Sequence, residues 1–160
     1  MALVKGTNSY VTVAEADSYF ADRLDATAWT AATADQKSQA LITATAMLDN
    51  LDWIGVAVSD LQPLAFPRIG IYFDPRVGAD VMFEDTVVPI RIEIAAFELA
   101  LHLLNNSGLL DDTGRVDSIV VGSIELKDIK PAQKLPPFVL QQIKPLRVRP
   151  SVTNSWWRAN

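Results

Sequence analysis

Pro89-Ile-Arg-Ile-Glu-Ile-Ala-Ala-Phe-Glu-Leu-Ala-Leu-His-Leu-Leu-Asn105 is the stretch around which the rest of the chain must be arranged. Proline suits the start of a helix, where its missing N–H would have had no partner. The residues that follow are apolar almost all the way round, the pattern of a helix buried on every side. Asn105-Asn-Ser-Gly108 ends it. The greasy run Ile90–Leu104 is 15 residues long and carries Arg91, Glu93, Glu98 and His102. A bilayer needs about 20 mostly apolar residues, so this is a core helix and not a membrane span.

Toward the N-terminus two helix starts stand out. Thr12-Val-Ala-Glu15 and Thr33-Ala-Asp-Gln36 have capping-box spacing: the threonine hydroxyl accepts from the amide three residues on, and the Glu or Gln side chain reaches back to the cap amide. The first predicts a helix from Val13 to about Leu24, with Ala16, Tyr19, Phe20 and Leu24 on one side. The second predicts a helix to about Leu51, with Ala40, Leu41, Ala44, Met47, Leu48 and Leu51 near the helical template. Between Asp52 and Val88 the periodicity breaks at Gly55, Pro63, Pro67, Gly70, Pro75 and Gly78, which predicts a long loop. Ile69–Phe73 and Ala79–Phe83 suit short strands flanking Asp74-Pro-Arg-Val-Gly78.

Toward the C-terminus, Asp117–Val121 and Ile124–Ile129 read as β, joined at Gly122-Ser123 as a tight hairpin or one bulged strand. Leu135–Ile143 suits a short helix opened by Pro136-Pro137. Arg147–Asn160 has no amphipathic period and reads as an extended arm. The expected fold is therefore mainly α: a small helical bundle with a short β element at 117–129 and an extended C-terminal arm. Residues 1–130 form the helical domain, with the long loop 52–88, and residues 131–160 form a basic segment and arm.

The 160 residues, 49% apolar and 21% charged, suit a globular domain. Absence of cysteine excludes disulfides and thiolate chemistry and fits a reducing cytoplasm. Met1–Tyr10 lacks the apolar run of a signal peptide. The net charge of −5 is unevenly spread: from Lys127 onward seven basic residues face one acid, Asp128, leaving −11 on Met1–Leu126. An acidic body with a basic tail predicts a tail that seeks an acidic surface, on nucleic acid, on another protein or on its own body.

Catalytic patterns are missing. The seven glycines stand in no phosphate-loop frame. His102 is the only histidine, lies in the most apolar helix and is spaced to pair with Glu98, so neither a triad nor a histidine metal cluster is expected. Glu84-Asp85 and Asp111-Asp112 read as solvated loop acids, since a calcium site needs six to eight oxygens. No cofactor and no enzymatic activity are expected.

Two features remain as candidate sites. One is the arm, with Arg147, Arg149, Trp156, Trp157 and Arg158. Tryptophan and arginine are enriched at binding hot spots, and they also suit stacking on single-stranded bases. The other is the loop with Tyr72, Phe73, Asp74 and Arg76, expected to contact neighbouring proteins.

Four segments carry a family resemblance: Asn8-Ser-Tyr-Val-Thr-Val-Ala-Glu-Ala-Asp-Ser-Tyr-Phe20, Ala40-Leu-Ile-Thr-Ala-Thr-Ala-Met-Leu-Asp49, Leu64-Ala-Phe-Pro-Arg68, and Val88-Pro-Ile-Arg-Ile-Glu-Ile-Ala-Ala-Phe-Glu-Leu-Ala100. They resemble phage proteins labelled DnaT-like and single-stranded-DNA-binding, and the layout is similar to that of phage head–tail connectors. The connector resemblance implies a non-enzymatic virion protein of the neck, made in the host cytoplasm. It implies a ring, commonly a dodecamer, beneath the portal protein. The arm would dock on the portal, the 52–88 loop would touch neighbours or the next neck or tail protein, and DNA would pass through the lumen without specific binding. The other label implies a single-stranded-DNA-binding protein. The sequence departs from the family pattern at Phe66, where tryptophan is more usual, and in the long Ile69–Val88 segment.

Overall fold

A computed structural model of the chain describes residues 2–106, 119–120, 125–126 and 135–148. Both capping boxes form. Thr12 Oγ1 accepts from the Glu15 amide at 3.2 Å and the Glu15 carboxylate accepts from the Thr12 amide at 2.7 Å. Thr33 and Gln36 repeat the exchange at 3.2 and 2.9 Å. They open α1 (Val13–Ala21) and α3 (Ala34–Asp49). α1 stops three residues before the expected end, and Leu24 is fully exposed and lies off the core. A short helix that the sequence reading did not foresee, α2 (Thr27–Ala31), buries Trp29, whose indole N–H donates to Asp17 at 2.8 Å. Five residues are too few to show a period, and α2 has no side-chain cap to announce it.

The expected central helix is α4 (Ile90–Asn105), with Pro89 as its N-cap residue. Ile92, Ala95, Ala96, Phe97, Leu99, Ala100, Leu101 and Leu103 are all buried. α3, with Leu41, Ala44 and Leu48 buried, and α5 (Pro137–Ile143), with Val139 and Ile143 buried, both pack against it. Alanines at 95, 96 and 100 let neighbouring elements approach closely, while Leu99 and Leu103 fill the space between them.

The mainly helical bundle expected from the sequence is not what forms: the fold is mixed α/β, about 47% helix and 13% strand. The segment expected as a long loop carries two antiparallel ribbons. β1 (Val56–Ala57) pairs with β2 (Arg68–Ile69), and β3 (Ile71–Asp74) pairs with β4 (Ala79–Met82), in the register Ile71↔Met82 to Asp74↔Ala79. β5 (Ile119–Val120) and β6 (Glu125–Leu126) form a third antiparallel pair. Prolines and glycines that read as loop punctuation are in fact the corners between short strands, where the chain reverses and pairs with itself.

The ribbons are held by an aromatic seam. Phe66 is 2% exposed and meets Tyr10, Trp53 and Phe83 edge-on, with ring centroids 6.2, 5.1 and 5.9 Å away. Tyr72 stacks on Phe83 at 4.7 Å. Gly55 lets β1 and β2 close on each other: its φ is +78°, and a Cβ there would lie 2.3 Å from the Ile69 carbonyl oxygen. Gly55→Ala is therefore expected to cost roughly 1–3 kcal/mol, by strain at positive φ and by displacement of β2. A urea midpoint equal to that of the wild type would show that this approach is not needed.

The first residues of the expected arm pack into the body. After α5 a single 3₁₀ turn, Lys144–Leu146, buries Leu146. The chain then runs antiparallel to residues 52–54: the Ile54 amide donates to the Leu146 carbonyl at 3.0 Å and the Val148 amide to the Asp52 carbonyl at 3.1 Å. Leu135, Val139, Ile143 and Leu146 share the core with α4.

Candidate interaction surface

The β3–β4 hairpin is two-faced because side chains alternate along a strand. Tyr72 and Asp74 point inward. Ile71, Phe73 and Met82 point outward and are 59, 50 and 69% exposed. Asp80, opposite Phe73 in the register, lies on this outward face, and Glu84 and Asp85 are exposed just beyond β4. In the other ribbon Val56 and Ile69 are register partners, and both are exposed. An apolar strip edged with acids is unusual on a small protein unless something covers it.

Asp74 anchors the hairpin. Its side chain is almost fully buried and accepts from the Arg76 amide (2.9 Å), the Arg76 guanidinium (2.9 Å) and the Arg91 guanidinium (3.0 Å). Arg91 lies in α4 and also donates to the Gln142 carbonyl of α5 at 3.4 Å. One carboxylate thus ties the hairpin turn to the central helix. The hydrogen bond from the Arg76 side chain, with the Arg76 amide and Arg91, holds its carboxyl well below the usual carboxylate range. Of the four loop residues singled out from the sequence, Phe73 and Arg76 are exposed, Tyr72 is half-buried in the aromatic seam, and Asp74 is internal.

Of the arm residues, Arg147 is partly buried beside Trp53. Arg149, Trp156, Trp157 and Arg158 lie outside the described residues, as do Asp111 and Asp112.

A cleft of about 550 Å³ lies between α1, α4 and α5, lined among others by Tyr19, Arg23, Glu98, His102, Phe138 and Gln141. Glu98, expected to serve His102, accepts from the Tyr19 hydroxyl at 2.6 Å and pairs with Arg23 at 2.6 Å. Desolvation, reinforced by the Glu98 carboxylate, pushes the Tyr19 phenol up to about 12. Tyr19 also stacks on Phe97 at 4.8 Å, so this cluster braces α1 against α4. Asn106 Nδ2 lies 3.1 Å from His102 Nδ1. The sequence held no local sign of the Tyr19–Glu98 contact, because 79 residues separate the two.

The electrostatics follow from the pairing. Residues 2–106 carry fourteen acidic and six basic side chains. Lys5 pairs with Glu15, Arg23 with Asp25 and Glu98, Lys37 with Asp17, and Arg76 and Arg91 with Asp74. Arg68 donates to the carbonyls of Trp53, Ile54, Ala65 and Gly55. All six cations of residues 2–106 therefore have partners within the fold, and fourteen acids against six bases leave this part of the chain acidic. Among the described residues no group of histidine or carboxylate side chains is placed to hold a metal ion, and no helix is long and apolar enough to cross a membrane.

These features define a small mixed α/β protein whose residues 2–106 are acidic and carry an apolar ribbon. The chain belongs to the family described as "Putative DnaT-like ssDNA binding protein", which it matches over residues 2–154. No curated protein and no solved structure matches it.

Proposed function

We propose that the chain is a structural assembly subunit, a phage head–tail connector that forms a ring in the virion neck between the portal and the next neck or tail protein. It acts by docking, with no chemical turnover, and DNA passes it without specific binding. The observation that carries this reading is the division of charge and apolar surface. The six cations of residues 2–106 are occupied within the fold, while acids and the Ile71–Phe73–Met82 strip face outward. Phosphate neutralisation supplies most of the affinity of a nucleic-acid binder, and such a surface repels phosphate. An apolar strip suits a protein partner. The test is cryo-EM of the chain mixed with the portal protein of the same phage. A ring seated on the portal is expected, and a portal left bare at saturating chain would sink the connector reading.

Family membership favours a second reading, single-stranded-DNA binding. Its carriers would be Trp156 and Trp157, since stacking a base on an aromatic side chain is worth roughly 1–3 kcal/mol. Tryptophan quenching by a single-stranded oligonucleotide across a salt series separates the two readings. The connector reading expects weak binding that falls steeply with salt, from the basic tail alone. Micromolar or tighter binding at physiological salt, abolished by Trp156→Ala/Trp157→Ala, would establish the second reading instead.

A further inference from the structure

We propose that the outward face of the β3–β4 hairpin is the docking site for the C-terminal tail, residues 149–160, of a second copy of the chain, so that copies join head to tail. Three observations meet in this assignment.

The face is apolar, with an acidic edge. Ile71, Phe73 and Met82 supply the strip, Asp80 sits within it, and Glu84 and Asp85 follow directly after β4. The nearest cations of the ribbons are held in place, Arg68 by four carbonyls and Arg76 by Asp74.

The tail is the complement. Arg149-Pro-Ser-Val-Thr-Asn-Ser-Trp-Trp-Arg-Ala-Asn160 has two arginines, two adjacent tryptophans and no acid. Each tryptophan can cover on the order of 200 Å² of apolar surface, and each arginine can meet a rim carboxylate.

The length of the tail allows it to serve a second copy. Residues 146–148 run antiparallel along residues 52–54, toward the end of α3. The 3₁₀ turn Lys144–Leu146 packs against β3, whose inward face holds Tyr72 and Asp74. Twelve residues span at most about 40 Å, a length that can reach a second copy. Each copy then gives one tail and receives one, a heterologous contact that closes into a ring when the rotation allows. This gives the tail a partner other than the portal that the connector resemblance implies.

The inference rests on the ring reading only for self-association, and its test contains neither portal nor DNA. A portal that stays bare while the chain still self-associates this way would therefore overturn the connector reading alone. Two full-length variants are needed: Trp156→Ala/Trp157→Ala, which removes the tail's anchors, and Ile71→Ser/Phe73→Ser/Met82→Ser, which removes the face. The substituted face residues are at least half exposed, so the body should keep its circular dichroism spectrum; Phe73→Lys alone replaces the triple variant if it does not. Sedimentation velocity is expected to show an oligomer for the wild type and monomers for each variant alone. The equimolar mixture is expected at twice the mass of one chain, because only one face and one tail remain functional in the pair. A monomeric wild type, variants that assemble like the wild type, or a mixture that stays monomeric would each overturn the proposal, the last by placing the tail on its own copy.

Discussion

Replacing Phe66 by alanine is expected to destabilise the protein by about 3–5 kcal/mol, the range for truncating a fully buried phenylalanine. Its ring is 2% exposed and lies where four parts of the chain converge. Tyr10 brings in the N-terminal segment, Trp53 the chain after α3, and Phe83 the end of the β3–β4 hairpin. The Arg68 guanidinium lies 5.9 Å from the ring centroid. Polar bonds lock the same junction: Asp49 accepts from the Tyr10 hydroxyl and, at 3.2 Å, from the Ala65 amide beside the ring. The cavity left by truncation cannot collapse easily, because three of its walls are large aromatic rings fixed by their own contacts. Urea denaturation should show the loss as a shift in midpoint without a change in slope, together with weakened near-ultraviolet dichroism from Trp53. A loss below about 1 kcal/mol would mean that the seam does not hold the ribbons to the helices.

The elements that were legible in the sequence are those whose signal is local. Capping boxes at Thr12 and Thr33, the apolar run after Pro89, and Pro136-Pro137 before α5 each specify an element within a few residues of its end. The strands around Asp74-Pro-Arg-Val-Gly78 were also legible, because alternation and a turn sit side by side. What was missed depends on partners distant in sequence. Val56-Ala57 is too short to read as a strand until Arg68-Ile69 folds back on it. Residues 146–148 carry no pattern of their own and are ordered by backbone bonds to 52–54. Asp74 was expected to contact a neighbouring protein, because its second arginine, Arg91, stands 17 residues away in a helix. The candidate surface was half legible for the same reason: exposed Phe73 was anticipated, while the inward roles of Tyr72 and Asp74 appear only once the hairpin has docked.

Asp74→Asn should separate charge from shape at that anchor, and the expected loss is of the same order as for Phe66→Ala, a fall in melting temperature of roughly 10 °C at neutral pH. Asparagine keeps the size and can still accept from the Arg76 amide, so the turn itself is preserved. What disappears is the negative charge facing two guanidinium groups. Arg76 is largely exposed and can turn to water. Arg91, with a side chain only 11% exposed, then faces a neutral amide oxygen and the Gln142 carbonyl at 3.4 Å, with no counter-charge. A buried cation without its counter-ion is the costly outcome of breaking such a pair. The pH dependence identifies the cause. The carboxyl of Asp74 is held below its ordinary value in the fold, so its contribution is fully present above the unfolded value near 3.9 and is lost as pH falls below it. Wild type and variant should therefore differ most at neutral pH and converge in acid. Glu15 and Asp17 are also held low and Glu93 is raised by burial, but all three are present in both proteins and drop out of the difference. A gap in melting temperature that stays constant from pH 7 down to about pH 2 would show that packing, and not the carboxylate charge, ties the hairpin to α4.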